Sequence, residues 1–452
     1  MARFLRQSPL TLIVLAFLIL LGGFILWNLA APEQDARVLA IRQQGYPVSV
    51  AELDAWYTHV PDSQNAAVVL TKAFSQPGLR DNSGTMTVIG DKTWVPARGH
   101  LLDDEAKAEL SAALATNQIL LDELHSATGL TNSRYPIDLK QGFNTLLPHL
   151  AKIKASVQLL TAEALLDASN GDTGKTFAAL RAAKTVTDSV ADEPLLISQL
   201  VRIAGWAIIS KRTELILNGV ALSEEQLSAL QILFRDAERP DTMARALAGE
   251  RASGMGVFMG SEEQIYLFGG SATSPPATKD RLRTSLFMGL YKSTGLLHKD
   301  KVFYLDTLGK YVSTAEAPFP ERLAITQPVN GAALMPGKMM IFSRMLLPAL
   351  SRTLQRDGEH AARIRTTQTA IAVERFRRAH NGSLPSDLNE LVPAWLPSAP
   401  RDPFDGQPLR FKRLGSGYVV YSVGSDLRDD GGNEGDPKKQ GSAKDITLVL
   451  EK

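Results

Sequence analysis

Apolar and polar residues follow three regimes along this chain. Near the start, LTLIVLAFLILLGGFILW (Leu10 to Trp27) runs eighteen residues without a charge, long enough to cross a bilayer as a helix. The stretch SVAELDAWYTHVPDSQNAAVVLTKAF predicts a short helix, a turn at Pro61-Asp62 and a second helix from Asn65. Residues 76–100, with TMTVIG and TWVPARG, predict a loop or small hairpin. From about Asp103 to Arg239 the period is helical. Ile153, Val157, Leu160 and Ala164 recur at three- and four-residue steps and mark one buried face. Asn170-Gly171 ends that helix, Thr173 to about Val190 forms the next, and Glu193-Pro194 breaks the chain again. LLISQLVRIAGWAIISKRTELIL is apolar on nearly every side and reads as the central buried helix of a bundle. Arg202, Lys211 and Arg212 exclude it as a membrane span. Asn218-Gly219 stops it, and Ser223 with Gln226 predicts a capping box that opens one more helix before Pro240.

In the third regime the pattern first weakens, between Gly254 and Pro328, where GGSATSPPATKD predicts a mobile loop. MMIFSRMLLPAL (Met339 to Leu350) predicts a short core helix kinked at Pro348. A long helix from near Arg352 to about His380 follows. Beyond Gly382 the composition turns to Pro, Gly and short β-rich runs, LRFKRL, GYVVYSV and DITLVL, which predict three strands. The fold class is therefore mainly α with a C-terminal α+β module. An N-terminal transmembrane helix and a helical bundle domain precede a helix with a small antiparallel sheet. The expected divisions are 1–32 for a cytoplasmic tip and anchor, 33–350 for an exported helical domain, and 351–452 for the α+β module.

Charge fixes the orientation. Arg3 and Arg6 precede the apolar run, whereas Glu33 and Asp35 follow it, so positive-inside bias keeps the N-terminus cytoplasmic. This predicts a single-pass protein of a bacterial inner membrane, held in the membrane through residues 10–27, with its bulk periplasmic. A cleaved signal peptide is the rival reading, but its apolar core is usually shorter and NLAAP makes a poor cleavage site. Elsewhere, 49 basic residues against 48 acidic ones leave no overall field to draw nucleic acid, and none is expected as a partner. Cysteine is absent, which excludes disulfides, thiolate metal sites and cysteine nucleophiles.

Candidate chemistry is sparse. SNGDTGKT (Ser169 to Thr176) lacks the first glycine of a phosphate loop and follows a helix instead of a strand, so no nucleotide is expected. GMGVFMG (Gly254 to Gly260) misses the dinucleotide fingerprint by one residue. The histidines are scattered, with no H-E-x-x-H, G-x-S-x-G or Ser-x-x-Lys pattern. Asp103 and Asp104 read as the acidic start of a helix. The segment GSDLRDDGGNEGD, Gly424 to Asp436, stands apart. It crowds Asp426, Asp429, Asp430, Glu434 and Asp436 onto a glycine-rich loop bracketed by strands. An EF-hand register from Asp426 fails, because Arg428 takes the third position and Pro437 the twelfth. Two readings stay open: a solvated acidic loop, or carboxylates that a hard cation with many oxygen ligands would hold together. Calcium suits the latter better than magnesium.

The residues of this region carry a resemblance. AVERFRRAHNGSLPSDLNELV, DPFDGQPLRF, YSVGSDLRDDGG and KDI at 444–446 occur in the order of four elements in the globular module of type II secretion major pseudopilins. Asn381, Gly382 and Pro385 match the first element, and Asp402, Pro403, Gly406 and Pro408 the second. The segment from about Thr366 to Ile446 is similar to that module. The resemblance implies a calcium-binding last loop, with Asp426 and Asp445 as ligands and Asp429, Asp430 and Asp436 competing for the remaining positions. It covers less than a fifth of the chain. Pro9 and Val14 stand where pseudopilins carry their cleavage glycine and glutamate, and some 330 residues separate anchor from module. A filament subunit is not expected.

The leading expectation is a non-enzymatic, membrane-anchored scaffold or interaction protein. Its Ca²⁺-stabilised C-terminal module suggests a setting in a secretion or pilus-like apparatus, with other envelope proteins as partners. The alternative is an exported hydrolase with its site in the helical domain, and a weaker third reading makes the calcium loop a sensor.

Overall fold

A computed structural model describes residues 36–76, 96–259, 278–326, 336–348, 350–435 and 445–451. The expected membrane segment 10–27 and Asp436 lie outside the described residues, as does most of 76–100 and of GGSATSPPATKD. Among the described residues no helix is long and apolar enough to cross a membrane.

The chain is mainly helical. In order come α1 (Ala36–Gln43), α2 (Val50–Trp56), α3 (Ala66–Phe74), α4 (Asp104–Ala115), α5 (Gln118–Ser126), α6 (His149–Ser169), α7 (Thr173–Asp188) and α8 (Leu196–Gly219). Then follow α9 (Glu224–Arg235), α10 (Thr242–Met259), α11 (Thr278–Ser293), α12 (Leu296–Glu316), α13 (Ile341–Leu346) and α14 (Leu350–Ala379). Strands β1 (Arg410–Leu414), β2 (Gly417–Ser422) and β3 (Ile446–Leu450) form one antiparallel sheet in the order β1-β2-β3. Side-chain caps set many helix starts. Ser49, Asn65, Asp103, Asp172 and Ser223 each accept a bond from a first-turn N–H that the helix itself leaves unpaired. Ser223 and Gln226 complete the expected capping box.

Among the described residues two large hydrophobic cores result. In the first, α6 and α7 form a hairpin, α8 lies across it, and α9 and α14 close the far side. Tyr418, Val420, Leu448 and Leu450 on the inner sheet face complete that core. The second core gathers α1, α10, α11, α12 and α13. Helix α14 joins the two: Leu350, Leu354 and Ala362 face the second core, whereas Ile364, Ala370, Ile371 and Phe376 face the first. Residues on both sides of position 350 thus share each core.

One segment without an expected element is filled, and one expectation needs correction. The weakly patterned segment after Gly254 contains α11 and α12. Leu286, Phe287 and Leu290 of α11 are exposed while Met288 and Tyr291 are buried, so apolar residues on two faces blur the single stripe that periodicity detects. The expected kinked helix over Met339–Leu350 is a short α13 that stops before Pro348, which lacks the N–H needed to continue. A new helix, α14, then starts at Leu350.

Candidate functional site

The C-terminal loop is positioned by the sheet beneath it. Val419, Tyr421 and Val449 form a small cluster on the outer sheet face, and every residue of β2 is buried. The loop covers that face. A Cβ added at Gly432 would come 3.0 Å from both Val419 and Tyr421, and φ there is +78°, so the approach requires glycine.

Its carboxylates mostly meet main-chain donors and arginines. Asp426 accepts from Arg428 N at 3.3 Å in a tight turn. Asp429 accepts from Tyr421 OH at 3.1 Å and Gly431 N at 2.9 Å, and its other oxygen lies 4.0 Å from Arg410 Nε. Buried Asp445, just before β3, accepts from Gly432 N at 2.8 Å and, more loosely, from Asp430 N at 3.5 Å. Burial, together with the nearby charges of Asp430 and Asp429, pushes the Asp445 carboxyl above its ordinary range against those N–H bonds.

Two arginines organise the surroundings. Arg410 donates to fully buried Asp402 at 2.8 Å and pairs with Asp405. Asp402 also accepts from Ser422 Oγ at 2.8 Å, Val423 N at 2.9 Å and Phe404 N at 2.9 Å, so it ties the DPFDGQP turn to the end of β2. Arg98 donates to Glu434 of the loop at 2.7 Å, to Glu214 of α8 at 3.0 Å and to Glu451 at 3.3 Å. Asn218 of α8 bonds both Val449 O and Glu451 N, at 2.8 and 2.9 Å. The acidic loop is thereby fastened to the helical bundle.

Of the five expected ligands, Asp429, Asp430 and Asp445 come into one neighbourhood, Asp426 sits in its own turn, and Asp436 falls outside the described residues. Among the described residues, no three acidic or histidine side chains gather closely enough to hold a metal ion.

A second site escaped the sequence reading. Phe74, Tyr135, Ile137, Leu146, Pro148 and His149 line an apolar cleft of about 520 Å³ between α3, the 135–148 segment and the start of α6. His149, largely buried, stacks on Tyr135 with ring centroids 4.1 Å apart. Its Nε2 lies 3.0 Å from Glu193, whose other oxygen accepts from Ser198 Oγ at 2.5 Å. Gln199 Nε2 donates to the carbonyls of Val190, Ala191 and Glu193, which fixes the turn that carries Glu193. A neutral imidazole donating Nε2–H to Glu193 leaves Nδ1 as its acceptor. The nearby Ser75 hydroxyl donates to Lys72 O at 2.7 Å, so it is not aligned on that base. His149 and Glu193 stand 44 residues apart in sequence, and no local spacing announces the pair.

Comparisons with family models, curated proteins and solved structures gave no match to this chain.

Proposed function

We propose that this chain is a membrane-anchored, exported scaffold or interaction protein whose pseudopilin-like C-terminal module is built into its body. The observation that carries the reading is the fastening of the acidic loop to the bundle through Arg98, Glu214 and Glu434. A module held by buried charge and a shared core serves as a rigid part of one platform. The apolar cleft beside Tyr135 then offers the place where a partner inserts an apolar side chain. The envelope, and a secretion or pilus-like apparatus within it, is the proposed setting.

A photo-crosslinker at Leu146, 83% exposed on the cleft rim, tests this in intact envelopes. A discrete adduct with an envelope protein, lost when Arg98→Ala loosens the platform, is the expected outcome. No adduct, with ester hydrolysis that disappears in His149→Gln, would favour the second reading, an exported hydrolase using the His149–Glu193 pair as base. Calcium at the C-terminal loop belongs to the same proposal, supported by the like charges of Asp429, Asp430 and Asp445, which a divalent cation would relieve. A thermal melt of the full chain in calcium and in chelator checks it. A melting temperature higher in calcium supports the metal-held loop; identical melts leave the arginines as its closure.

A further inference from the structure

Helix α11 has two apolar faces and uses only one in packing. Met288 and Tyr291 enter the second core, where Tyr291 OH donates to Met339 O at 2.6 Å and Phe287 stacks on the Tyr291 ring at 5.5 Å. On the outer face Leu286 is 67% exposed, Phe287 44% and Leu290 65%, and neighbouring Met339 is 59% exposed. Large side chains grouped this way are uncommon on a surface that meets only water.

Charge in the sequence that forms α11 and the start of α12 departs from the rest of the chain. Residues 278–301 contain six basic residues (Lys279, Arg281, Arg283, Lys292, Lys299, Lys301) and two acidic ones (Asp280, Asp300), a net of +4 against +1 for all 452 residues. Asp300 is buried, accepting from Phe342 N at 2.8 Å and Ser343 N at 3.1 Å, with the Tyr291 hydroxyl oxygen 3.0 Å from its Oδ2. An apolar stripe flanked by Lys and Arg is the composition of a helix that lies in a membrane interface with an anionic surface.

The tether fits that location. Helix α1 packs into the same second core through Val38 and Ile41, and Arg37 pairs with Asp306 of α12 at 2.6 Å. Only eight residues, Asn28 to Asp35, lie between Trp27 and α1. Fully extended, they reach about 29 Å, so an anchor at 10–27 holds this core close to the bilayer.

We infer that the outer face of α11, with Met339, rests on the anionic surface of the membrane. The inference uses the anchored reading for proximity, but its readout is independent of it. The chain contains no cysteine, so Leu290→Cys in the full chain carries a single environment-sensitive fluorophore. Ile119→Cys on α5, a comparably exposed control at 68%, carries the same label. In vesicles containing phosphatidylglycerol, lipid-borne quenchers are expected to quench position 290 several-fold more than 119. The excess should shrink in purely zwitterionic vesicles and in Leu286→Ser. Equal quenching of both positions by aqueous iodide would overturn the inference. So would shielding of 290 without lipid quenching, which would indicate a second copy of the chain on this face. Carbonate extraction is scored separately. A chain that washes off yet shows lipid quenching at 290 loses the anchor and keeps the α11 contact.

Discussion

Two buried arginines show how differently the two cores treat charge. Arg202 of α8, 2% exposed, donates to Asp188 at 2.9 Å and to Ala237 O at 2.8 Å. Asp188 also accepts from Trp206 Nε1 and Lys184, each at 2.9 Å. Burial works against that carboxylate, yet Arg202 and Lys184 hold it below the usual range. Arg251 of α10, 1% exposed, lies 5.5 Å from the Tyr46 ring, and its Nε and Nη2 find no hydrogen-bond partner among the described residues. Arg202 pins the bundle at one junction, whereas Arg251 is buried in the other core with one edge of its guanidinium unbonded. A buried charge stabilises only when its donors are met.

The largest effect should therefore come from Arg202→Met. Asp188 would lose its main partner and the Ala237 carbonyl would lose a donor. Chemical denaturation should report a loss of about 3–5 kcal/mol, the range for breaking a buried pair. A loss below about 1 kcal/mol would mean that Trp206 and Lys184 suffice for Asp188, and the contrast between the two cores would dissolve.

Next in size is a pH effect at the same junction. His360 of α14 faces Ala237 O at 3.1 Å, so Nε2 carries the proton in the neutral ring. Burial, and then the charge of Arg202, push its pKa from 6.5 down to about 3. The unfolded chain takes up a proton below pH 6.5 that the native state refuses. Stability from this group is complete above pH 6.5 and falls by about 1.4 kcal/mol per pH unit as the pH drops toward 3. Denaturation midpoints of the wild type and His360→Gln, compared at pH 7 and pH 5, isolate it: the wild type should lose about 2 kcal/mol more than the variant. Parallel pH profiles would place His360 in contact with solvent.

The same contrast explains what could be read in advance. The first core follows from pattern, because α6 carries the apolar stripe Ile153, Val157, Leu160 and Ala164, α7 buries one face, α8 is apolar nearly all round, and polar caps such as Asp103 and Ser223 mark the ends. The three strands were legible because Tyr418 to Tyr421 are bulky β-formers. The second core was not, since α11 divides its apolar residues between Met288–Tyr291 inside and Leu286–Leu290 outside. Site chemistry was legible only where it is local. Asp402 stood out within DPFDGQP, but its partners Ser422 and Val423 lie about twenty residues on, and it closes a turn. His149 meets Glu193 only through the packing of α6 against the α7–α8 turn. The acidic loop was conspicuous, yet its docking on Arg98 links positions 336 residues apart.

Arg251→Met is the finest test of the comparison. Methionine keeps much of the stem's packing and removes the charge, so the variant should gain about 1–2 kcal/mol. Burial already lowers the pKa of this guanidinium, which marks its charged form as disfavoured. Arg251 lines a cavity of about 660 Å³ together with Tyr46 and Glu316, and Glu316 is hydrogen-bonded to the Tyr46 hydroxyl. A loss on substitution, instead of a gain, would mean that the free edge is bonded in solution. Glu316, which lines the same cavity and acts on Arg251 through its charge, could do so by turning from Tyr46 to Arg251. Adding Glu316→Gln distinguishes the cases. If the pair forms, the double variant loses less than the two single losses combined; if it does not, the two effects add and Arg251 stays an uncompensated charge.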